Sequence, residues 1–131
     1  MNDSAFLDIA CAEARQGAQQ GERAAGAVLE KSGEIIARSH DRSRALNDPV
    51  AVPEMECIRR AGRRKDQQAL TLYSTRYPDM LCAGTIVQFS IGALVIGLAE
   101  KQTPVIEFLK QKQVPVIFIE HDGCVALGTA P

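Results

Sequence analysis

The sequence predicts an α/β fold with three layers, α/β/α, in which a five-stranded mixed sheet carries helices on both faces. Three observations lead to this prediction. Four segments place apolar residues at helical spacing, and five shorter segments are apolar or rich in β-branched residues. These segments follow one another in the order αββαβαβαβ, which is typical of a sheet covered on two sides. The chain has 131 residues, 46% of them hydrophobic, so we expect a single domain over residues 1–131.

The first half of the chain contains a helix and a hairpin. The helix is predicted in DSAFLDIACAEARQGAQQG (residues 3–21), which opens with two capping residues, Asp3 and Ser4. The hairpin is predicted in GAVLEKSGEIIARS (residues 26–39), where Lys-Ser-Gly at residues 31–33 joins two short strands. A polar loop then leads to the second helix.

The second half of the chain alternates helices with strands. Helices are predicted in PEMECIRRAGRRK (residues 53–65), in DMLCAGTIVQF (79–89, opened by Pro78) and in PVIEFLKQK (104–112). Strands are predicted in ALTLYST (69–75), GALVIGLA (92–99) and VPVIFIE (114–120). The last two are almost continuously apolar, as expected for strands buried on both faces. The tail HDGCVALGTAP (121–131) is predicted to be irregular.

Composition and charge argue against a nucleic-acid-binding, membrane-spanning or secreted protein. The net charge is −1, so a nucleic-acid partner is not expected, and the basic stretch RRAGRRK (residues 59–65) is interpreted as a solvated helix end. No apolar run is long enough to span a membrane, and no secretory signal pattern opens the chain. The four cysteines lack CxxC spacing and are interpreted as thiols. These features predict a cytoplasmic protein without a membrane partner.

Five blocks of sequence, in this order, carry a resemblance to a known family: FLDIACAEARQG, GAVLEKSGEIIARSHDR, NDPVAVPEMECIRRAGR, LYSTRYPDMLCAGTIV and VIEFLKQKQVPV. They resemble the cytidine deaminase superfamily, and within it the branch of cytosine, guanine and tRNA-adenosine deaminases. The resemblance implies a cytidine-deaminase-like fold that assembles as a homodimer or homotetramer. It also implies a zinc site formed by His-x-Glu and Pro-Cys-x-x-Cys motifs, where His and both Cys hold zinc and Glu moves protons.

The two zinc motifs are incomplete in this chain. His-x-Glu is Val52-Pro53-Glu54, and Pro-Cys-x-x-Cys runs from Pro78 to Cys82 with Asp79 at the first cysteine. Glu54 and Cys82 therefore match the family pattern. Val52 offers no lone pair, and Asp79 offers oxygen in place of sulfur.

The loss of ligands predicts a protein without a metal or other cofactor. Zinc lowers the pKa of bound water from 15.7 to about 7, which is worth on the order of 12 kcal/mol of nucleophile activation. Asp79 and Cys82 are two ligands where a catalytic zinc needs three. Glu54, Cys57 or His40 could supply the third, so a zinc site with substituted ligands stays open.

The remaining residues form a candidate catalytic set of Glu54, Cys82 and Asp79. Glu54 is the expected proton shuttle, and Cys82, near a helix N-terminus, is a candidate nucleophile. Asp79 would add a second carboxylate, although it could instead cap its helix. Asp41 takes the place of the asparagine that helps to hold the base in related enzymes.

Further polar residues and cysteines lie near these motifs or elsewhere in the chain. Asp41 and His40 are candidate substrate-binding residues, with loop polar groups as the alternative. His121 is expected to be solvent-exposed. The other cysteines, Cys11, Cys57 and Cys124, are expected to pack in the interior.

Three functions remain compatible with these residues. The first is a hydrolase that acts on a C–N bond of a small nitrogen heterocycle or nucleoside-like molecule, with Glu54 and Cys82 and without zinc. The second is a catalytically inactive relative that binds a ligand or serves as a partner subunit. The third is a zinc deaminase with substituted ligands.

Overall fold

A five-stranded mixed sheet forms the middle layer of the protein in a computed structural model that describes residues 1–128. Its strands are β1 (Gly26–Lys31), β2 (Glu34–His40), β3 (Thr71–Ser74), β4 (Ala93–Ile96) and β5 (Val116–Phe118). They lie in the order β2-β1-β3-β4-β5. β1 is antiparallel to β2 and β3, whereas β3, β4 and β5 are parallel. The predicted five-stranded mixed sheet is confirmed.

Helices cover both faces of this sheet, as predicted. They are α1 (Asp3–Gln19), α2 (Pro53–Ala61), α3 (Met80–Gln88), α4 (Pro104–Gln111) and α5 (Asp122–Leu127). α1 and α5 pack on one face, and α2, α3 and α4 pack on the other. Among the described residues, no helix is long and apolar enough to cross a membrane.

Successive side chains along each strand point to opposite faces of the sheet and so form two separate apolar cores. Val28, Tyr73 and Val95 pack under α1 and α5, while their neighbours Leu72 and Leu94 pack under α2, α3 and α4. This follows from the two-residue period of a strand, which sends successive side chains to opposite faces. The cysteines divide in the same way, with Cys11 and Cys124 in the first core and Cys57 and Cys82 in the second. All four are free thiols, as predicted.

Local sequence signals explain several boundaries. The β1–β2 turn has positive φ at both Ser32 (52°) and Gly33 (85°), as a two-residue hairpin turn of this hand requires. Pro53 occupies the first turn of α2, where its missing N–H costs nothing. Thr103 caps α4 by accepting from the backbone N–H of Ile106.

The predicted helix starts differ from the structure by one or two residues. The N-cap of α1 is Asn2, whose side chain accepts from the Ala5 N–H, and not Asp3 or Ser4. α3 begins at Met80, because Asp79 is its N-cap.

The C-terminal part of the chain departs further from the prediction. Residues 122–127 form α5, where an irregular tail was predicted, because His121 caps the segment and Cys124 is buried against α1. β5 was predicted to be fully buried, but it is an edge strand and Ile117 is 42% exposed. An apolar run does not reveal whether a further strand lies beside it. Residues 129–131 of the predicted tail lie outside the described residues, and the single domain over residues 1–131 stays a prediction.

The close approach of β1 to α1 gives a test of this packing. A Cβ atom on Gly26 would lie 2.1 Å from the Ala10 carbonyl oxygen, which belongs to the α1 backbone. We expect Gly26→Ala to lower the free energy of unfolding by ~3 kcal/mol, because strand and helix must separate. Urea denaturation followed by circular dichroism measures this change.

Gly84→Ala is the matched control for that measurement. Gly84 lies in α3, and a Cβ atom on it would meet no heavy atom of the described residues within 4 Å beyond its own part of the helix. We expect a gain of ~0.5–1 kcal/mol from the better helix propensity of alanine. Equal effects of the two substitutions would contradict the described packing of β1 on α1.

Candidate functional site

The residues of the two incomplete zinc motifs lie at the starts of α2 and α3, on the same face of the sheet. Val52 directly precedes α2, and Glu54 lies in the first turn of that helix. Asp79 caps α3, and Cys82 lies in its first turn. The structure thus brings the three candidate catalytic residues, Glu54, Asp79 and Cys82, into one neighbourhood.

A buried ion pair between Glu54 and Arg76 occupies the centre of this neighbourhood. Glu54 has no exposed surface, and Arg76 Nη2 lies 2.8 Å from its Oε1 while Arg76 Nε lies 2.9 Å from its Oε2. The Ser74 hydroxyl also donates to Glu54 Oε2 at 2.9 Å. Burial alone would lower the pKa of Arg76, but Glu54 and Asp79 raise it above its usual value. The glutamate is held by three donors and a fixed positive charge.

Asp79 has two structural contacts in this arrangement. Its Oδ1 accepts the backbone N–H of Cys82 at 2.9 Å, which is the helix cap that the sequence offered as an alternative role. Its Oδ2 lies 3.4 Å from Arg76 Nη2. Arg76 therefore bridges the carboxylates of Asp79 and Glu54.

The Cys82 thiol is enclosed and protonated. The residue is 1% exposed, and burial together with the charge of Glu54 raises the pKa of its thiol well above the usual value. The helix N-terminus favours a thiolate, but these two effects outweigh it. The nucleophile role stays a prediction, and this environment disfavours it.

The donor atoms at this place do not suit a zinc ion. The Val52 side chain has no donor atom, Cys82 is buried, and the guanidinium of Arg76 places a positive charge 3.4 Å from Asp79 Oδ2, which opposes a cation there. Cys57, a candidate third ligand, is fully buried and directs its thiol to the Ala27 carbonyl oxygen at 3.5 Å. A catalytic zinc needs three protein donors that are free to bind it.

A cavity of about 330 Å³ opens beside this ion pair. Its lining comprises Arg23, Asp41, Ser43, Arg44, Pro49, Val52 and Asp79. Two of these residues, Val52 and Asp79, stand where the family pattern has zinc ligands. Glu54 and Cys82 are not part of the lining, because they lie deeper.

Of the two candidate substrate-binding residues, only Asp41 lies at the cavity. Asp41 lines the cavity, but its carboxylate accepts from the Ser43 N–H and hydroxyl and pairs with Arg23 at 3.0 Å. Burial opposes ionisation of Asp41, but the hydrogen bonds from Ser43 and the charge of Arg23 outweigh it and lower its pKa. His40, one residue earlier, points to the other side and bonds Glu13 at 3.0 Å. The structure does not bring His40 to the cavity.

Sequence reasoning missed Arg76, the residue that organises the site. Its signal was a basic residue two positions before Pro78, in a segment whose neighbours match the family pattern. Ser74 and Arg23 were also missed, since a serine at a strand end and an arginine in a loop give no distinctive pattern.

A second group of possible metal ligands, also missed, lies under the other face of the sheet. Cys11, His121 and Cys124 each offer a ligand atom, and these atoms lie within 4.8 Å of one another. A hydrogen bond with Cys124, opposed by burial and aided by His121, lowers the pKa of Cys11 to about 7. The expectation of an exposed His121 is wrong, because its side chain is only 9% exposed.

Comparison with known proteins identifies related sequences. A family model described as the zinc-binding region of cytidine and deoxycytidylate deaminases matches residues 1–98. A tRNA-specific adenosine deaminase of Aquifex aeolicus is 33% identical over 105 residues, which cover 78% of this chain and 70% of that protein. The chloroplastic tRNA(adenine(34)) deaminase of Arabidopsis thaliana is 38% identical over 102 residues, which cover 76% of this chain and 8% of that protein.

Solved structures confirm the predicted fold family. One, from work on A-to-I editing by tRNA:A34 deaminases at the wobble position of transfer RNA, has a TM-score of 0.82 at 29% identity. The match covers 95% of this chain and 99% of the other.

The matched family model describes a zinc-binding region, and Cys11, His121 and Cys124 could hold a metal ion. The expectation of no cofactor is therefore not supported for the chain as a whole.

The Glu54–Arg76 pair gives a stability prediction. We expect Arg76→Leu to lower the free energy of unfolding by ~3 kcal/mol at neutral pH, because it leaves a buried carboxylate without a countercharge. Urea denaturation measures the change. A Glu54→Gln/Arg76→Leu double variant is the control, and it should lose less than the sum of the two single changes. Strictly additive losses would show that the pair does not interact as described.

Asp41 gives a pH prediction. At pH 7, Asp41→Asn should cost ~1–2 kcal/mol, because a charge-assisted pair with Arg23 is lost. The folded-state pKa of Asp41 is lowered, so its contribution is complete above the unfolded-state value of about 3.9 and is lost as pH falls through the folded-state pKa. The stability difference between parent and variant should therefore shrink as pH is lowered from 7 towards 2. A difference that stays constant in urea denaturation at each pH would refute this assignment.

Proposed function

Because this chain belongs to the family of cytidine and deoxycytidylate deaminases, we propose that it binds a nucleoside-like nitrogen heterocycle in the cavity beside α2 and α3. The position of the cavity carries the proposal. Two of its lining residues, Val52 and Asp79, stand where the family pattern places zinc ligands, next to the base that is to be deaminated. This position supports the binding of a heterocycle in the cavity.

The polar groups of the lining suit such a ligand. The side chain of Asp79 is 47% exposed and can accept N–H groups of a base or amine. The side chain of Arg23 is 33% exposed and can donate to a ring nitrogen or a carbonyl oxygen. A volume of about 330 Å³ lies at the lower end of the range for small-molecule pockets, which fits a single heterocycle.

Binding without turnover is the function that the geometry supports best. Glu54 is enclosed and bonded to Arg76 and Ser74, so its oxygens are not offered to a ligand in the cavity. The donors beside it do not suit zinc, and zinc contributes on the order of 12 kcal/mol to the activation of water. A general base contributes about 10²–10⁴-fold, which is too little to replace that activation.

Hydrolytic deamination with Glu54 as proton carrier is the second candidate. The relatives named above are deaminases, and one observation on this chain favours the same reaction. Arg76 covers Glu54 with a side chain that is 19% exposed, so its rotation towards solvent would uncover the carboxylate. The reaction would consume one water and release ammonia. Cys82 and Asp79 keep their predicted catalytic roles only in this second candidate.

The heterocycle can be free or part of an RNA. A small-molecule ligand and the absence of a nucleic-acid partner were expected, but the names of the relatives, which are tRNA deaminases, support neither expectation. The cavity recognises the same chemistry in both cases, and experiment must separate the two sources.

Assembly of identical chains is part of the proposal. Three apolar side chains in and next to α3 are largely exposed: Met80 (52%), Leu81 (42%) and Phe89 (49%). Met80 and Leu81 directly follow the cavity residue Asp79, and exposed apolar side chains at that place suit contact with a second copy. A homodimer or homotetramer remains a prediction, which light scattering on the purified protein tests.

A binding and turnover assay tests the proposed function. The melting temperature is measured with cytosine, adenine, guanine, their nucleosides and an unmodified tRNA, and ammonia is measured in the same samples. We expect a rise of a few degrees with at least one ligand and no ammonia release. A rise with tRNA alone would identify RNA as the source of the heterocycle.

Variants test whether the ligand binds in this cavity and whether Glu54 takes part in turnover. Arg23→Leu should weaken binding at least tenfold, because it removes a donor from the cavity, whereas Arg63→Leu outside this cavity should not. Ammonia release that is lost in Glu54→Gln would establish the second candidate instead. Absence of binding to every ligand and to tRNA would refute both.

A further inference from the structure

Three side chains from distant parts of the chain meet between α1 and α5. Cys11 lies in α1, His121 is the N-cap of α5, and Cys124 lies in the first turn of α5. Cys11 Sγ is 3.1 Å from Cys124 Sγ and 3.8 Å from His121 Nδ1. We propose that these three residues bind a Zn²⁺ ion that fixes α5 on α1.

The donor set suits this ion. Two thiolates and one imidazole are ligands that zinc prefers, and three protein ligands leave a fourth position for water or a small molecule. Zinc–sulfur and zinc–nitrogen distances of about 2.3 and 2.0 Å place tetrahedral ligand atoms about 3.5–3.8 Å apart. The cluster reaches that arrangement when its two sulfur atoms separate by several tenths of an ångström.

An aspartate holds the imidazole in the orientation that a ligand needs. Asp8 Oδ1 lies 2.7 Å from His121 Nε2. A carboxylate on one ring nitrogen of a histidine directs the lone pair of the other nitrogen to a metal. That other nitrogen, Nδ1, faces Cys11 and accepts the Cys124 N–H at 3.2 Å, a contact that the ion would replace.

Two glycines keep side chains out of the cluster. A Cβ atom on Gly97 would lie 2.3 Å from Cys124 Sγ. A Cβ atom on Gly123 would lie 3.3 Å from both Cys11 Sγ and His121 Nδ1. The donors therefore face a space that any larger residue at these positions would fill.

A solvent path reaches the cluster. A cavity of about 380 Å³ is lined by Cys11, His121, Gly123 and Asp8, among others. It offers an entry route for the ion and a place for the fourth ligand. The cluster lies between α1 and α5, whereas Val52, Asp79 and Cys82 lie at the starts of α2 and α3. These two pairs of helices pack on opposite faces of the sheet.

The ion would stabilise α5, which has little tertiary support of its own. The helix has six residues, and Cys124 is its one buried residue among those described. A helix of this length is marginal without tertiary support. A metal that joins Cys11 to Cys124 would cross-link positions 113 residues apart.

Metal content and a cobalt spectrum test the proposal on the full chain, purified with reductant and without chelator. We expect near one zinc per chain by mass spectrometry. Cys11→Ser and Cys124→Ser should each weaken zinc binding at least tenfold. A Cys82→Ser/Asp79→Asn double variant is the matched control, and it should keep the zinc. With Co²⁺ in place of Zn²⁺, thiolate-to-cobalt charge-transfer absorption should appear in the parent and in the control variant, but not in Cys11→Ser.

A measurement on the unaltered chain tests the proposal even if the cysteine variants fail to fold. Removal of zinc with a chelator should lower the melting temperature by about 8 °C relative to zinc at a hundredfold excess over its dissociation constant. Zinc lost from the Cys82→Ser/Asp79→Asn variant but retained in Cys11→Ser would overturn the proposal. So would the absence of a thiolate-to-cobalt band in the parent, or a Cys11–Cys124 disulfide in its place.

Discussion

The ion pair between Glu54 and Arg76 is the interaction on which the rest of the site depends. A carboxylate without exposed surface needs a countercharge, and Arg76 provides it with two short hydrogen bonds. The same guanidinium contacts Asp79, whose other oxygen caps α3. The starts of α2 and α3 and the end of β3 are thereby joined through one side chain. Two lining residues of the cavity, Val52 and Asp79, belong to the starts of these helices.

The pair also differs chemically from the zinc site of the family. A guanidinium places positive charge near Glu54, as zinc does in the family. It has no vacant coordination position, however, so it cannot bind a water molecule and acidify it. Under the proposed function, a guanidinium in the place of zinc would keep a positive partner for the glutamate and would supply no activated water. This difference is the physical basis of the proposal that the site binds a heterocycle without hydrolysing it.

The two faces of the sheet give their cysteine thiols different surroundings. Strand alternation places Cys57 and Cys82 in the core under α2, α3 and α4, where burial keeps both thiols protonated. Cys11 and Cys124 lie in the other core, where the histidine and a hydrogen bond between the two sulfur atoms lower the pKa of Cys11. The same hydrogen bond raises the pKa of Cys124, so the two thiols of this core share one proton between them, whereas Cys57 and Cys82 each keep their own.

The sequence by itself determined the α/β class, the order of the strands and helices up to β5, and the family, because these depend on local periodicity and on motifs that are contiguous in the chain. It also placed Glu54, Asp79 and Cys82 near one another through the family pattern. Only the tertiary structure decided that Arg76 neutralises Glu54, that His40 points away from the cavity and that His121 meets Cys11. These outcomes depend on the side-chain directions of residues that are distant in sequence, and no local pattern encodes such directions.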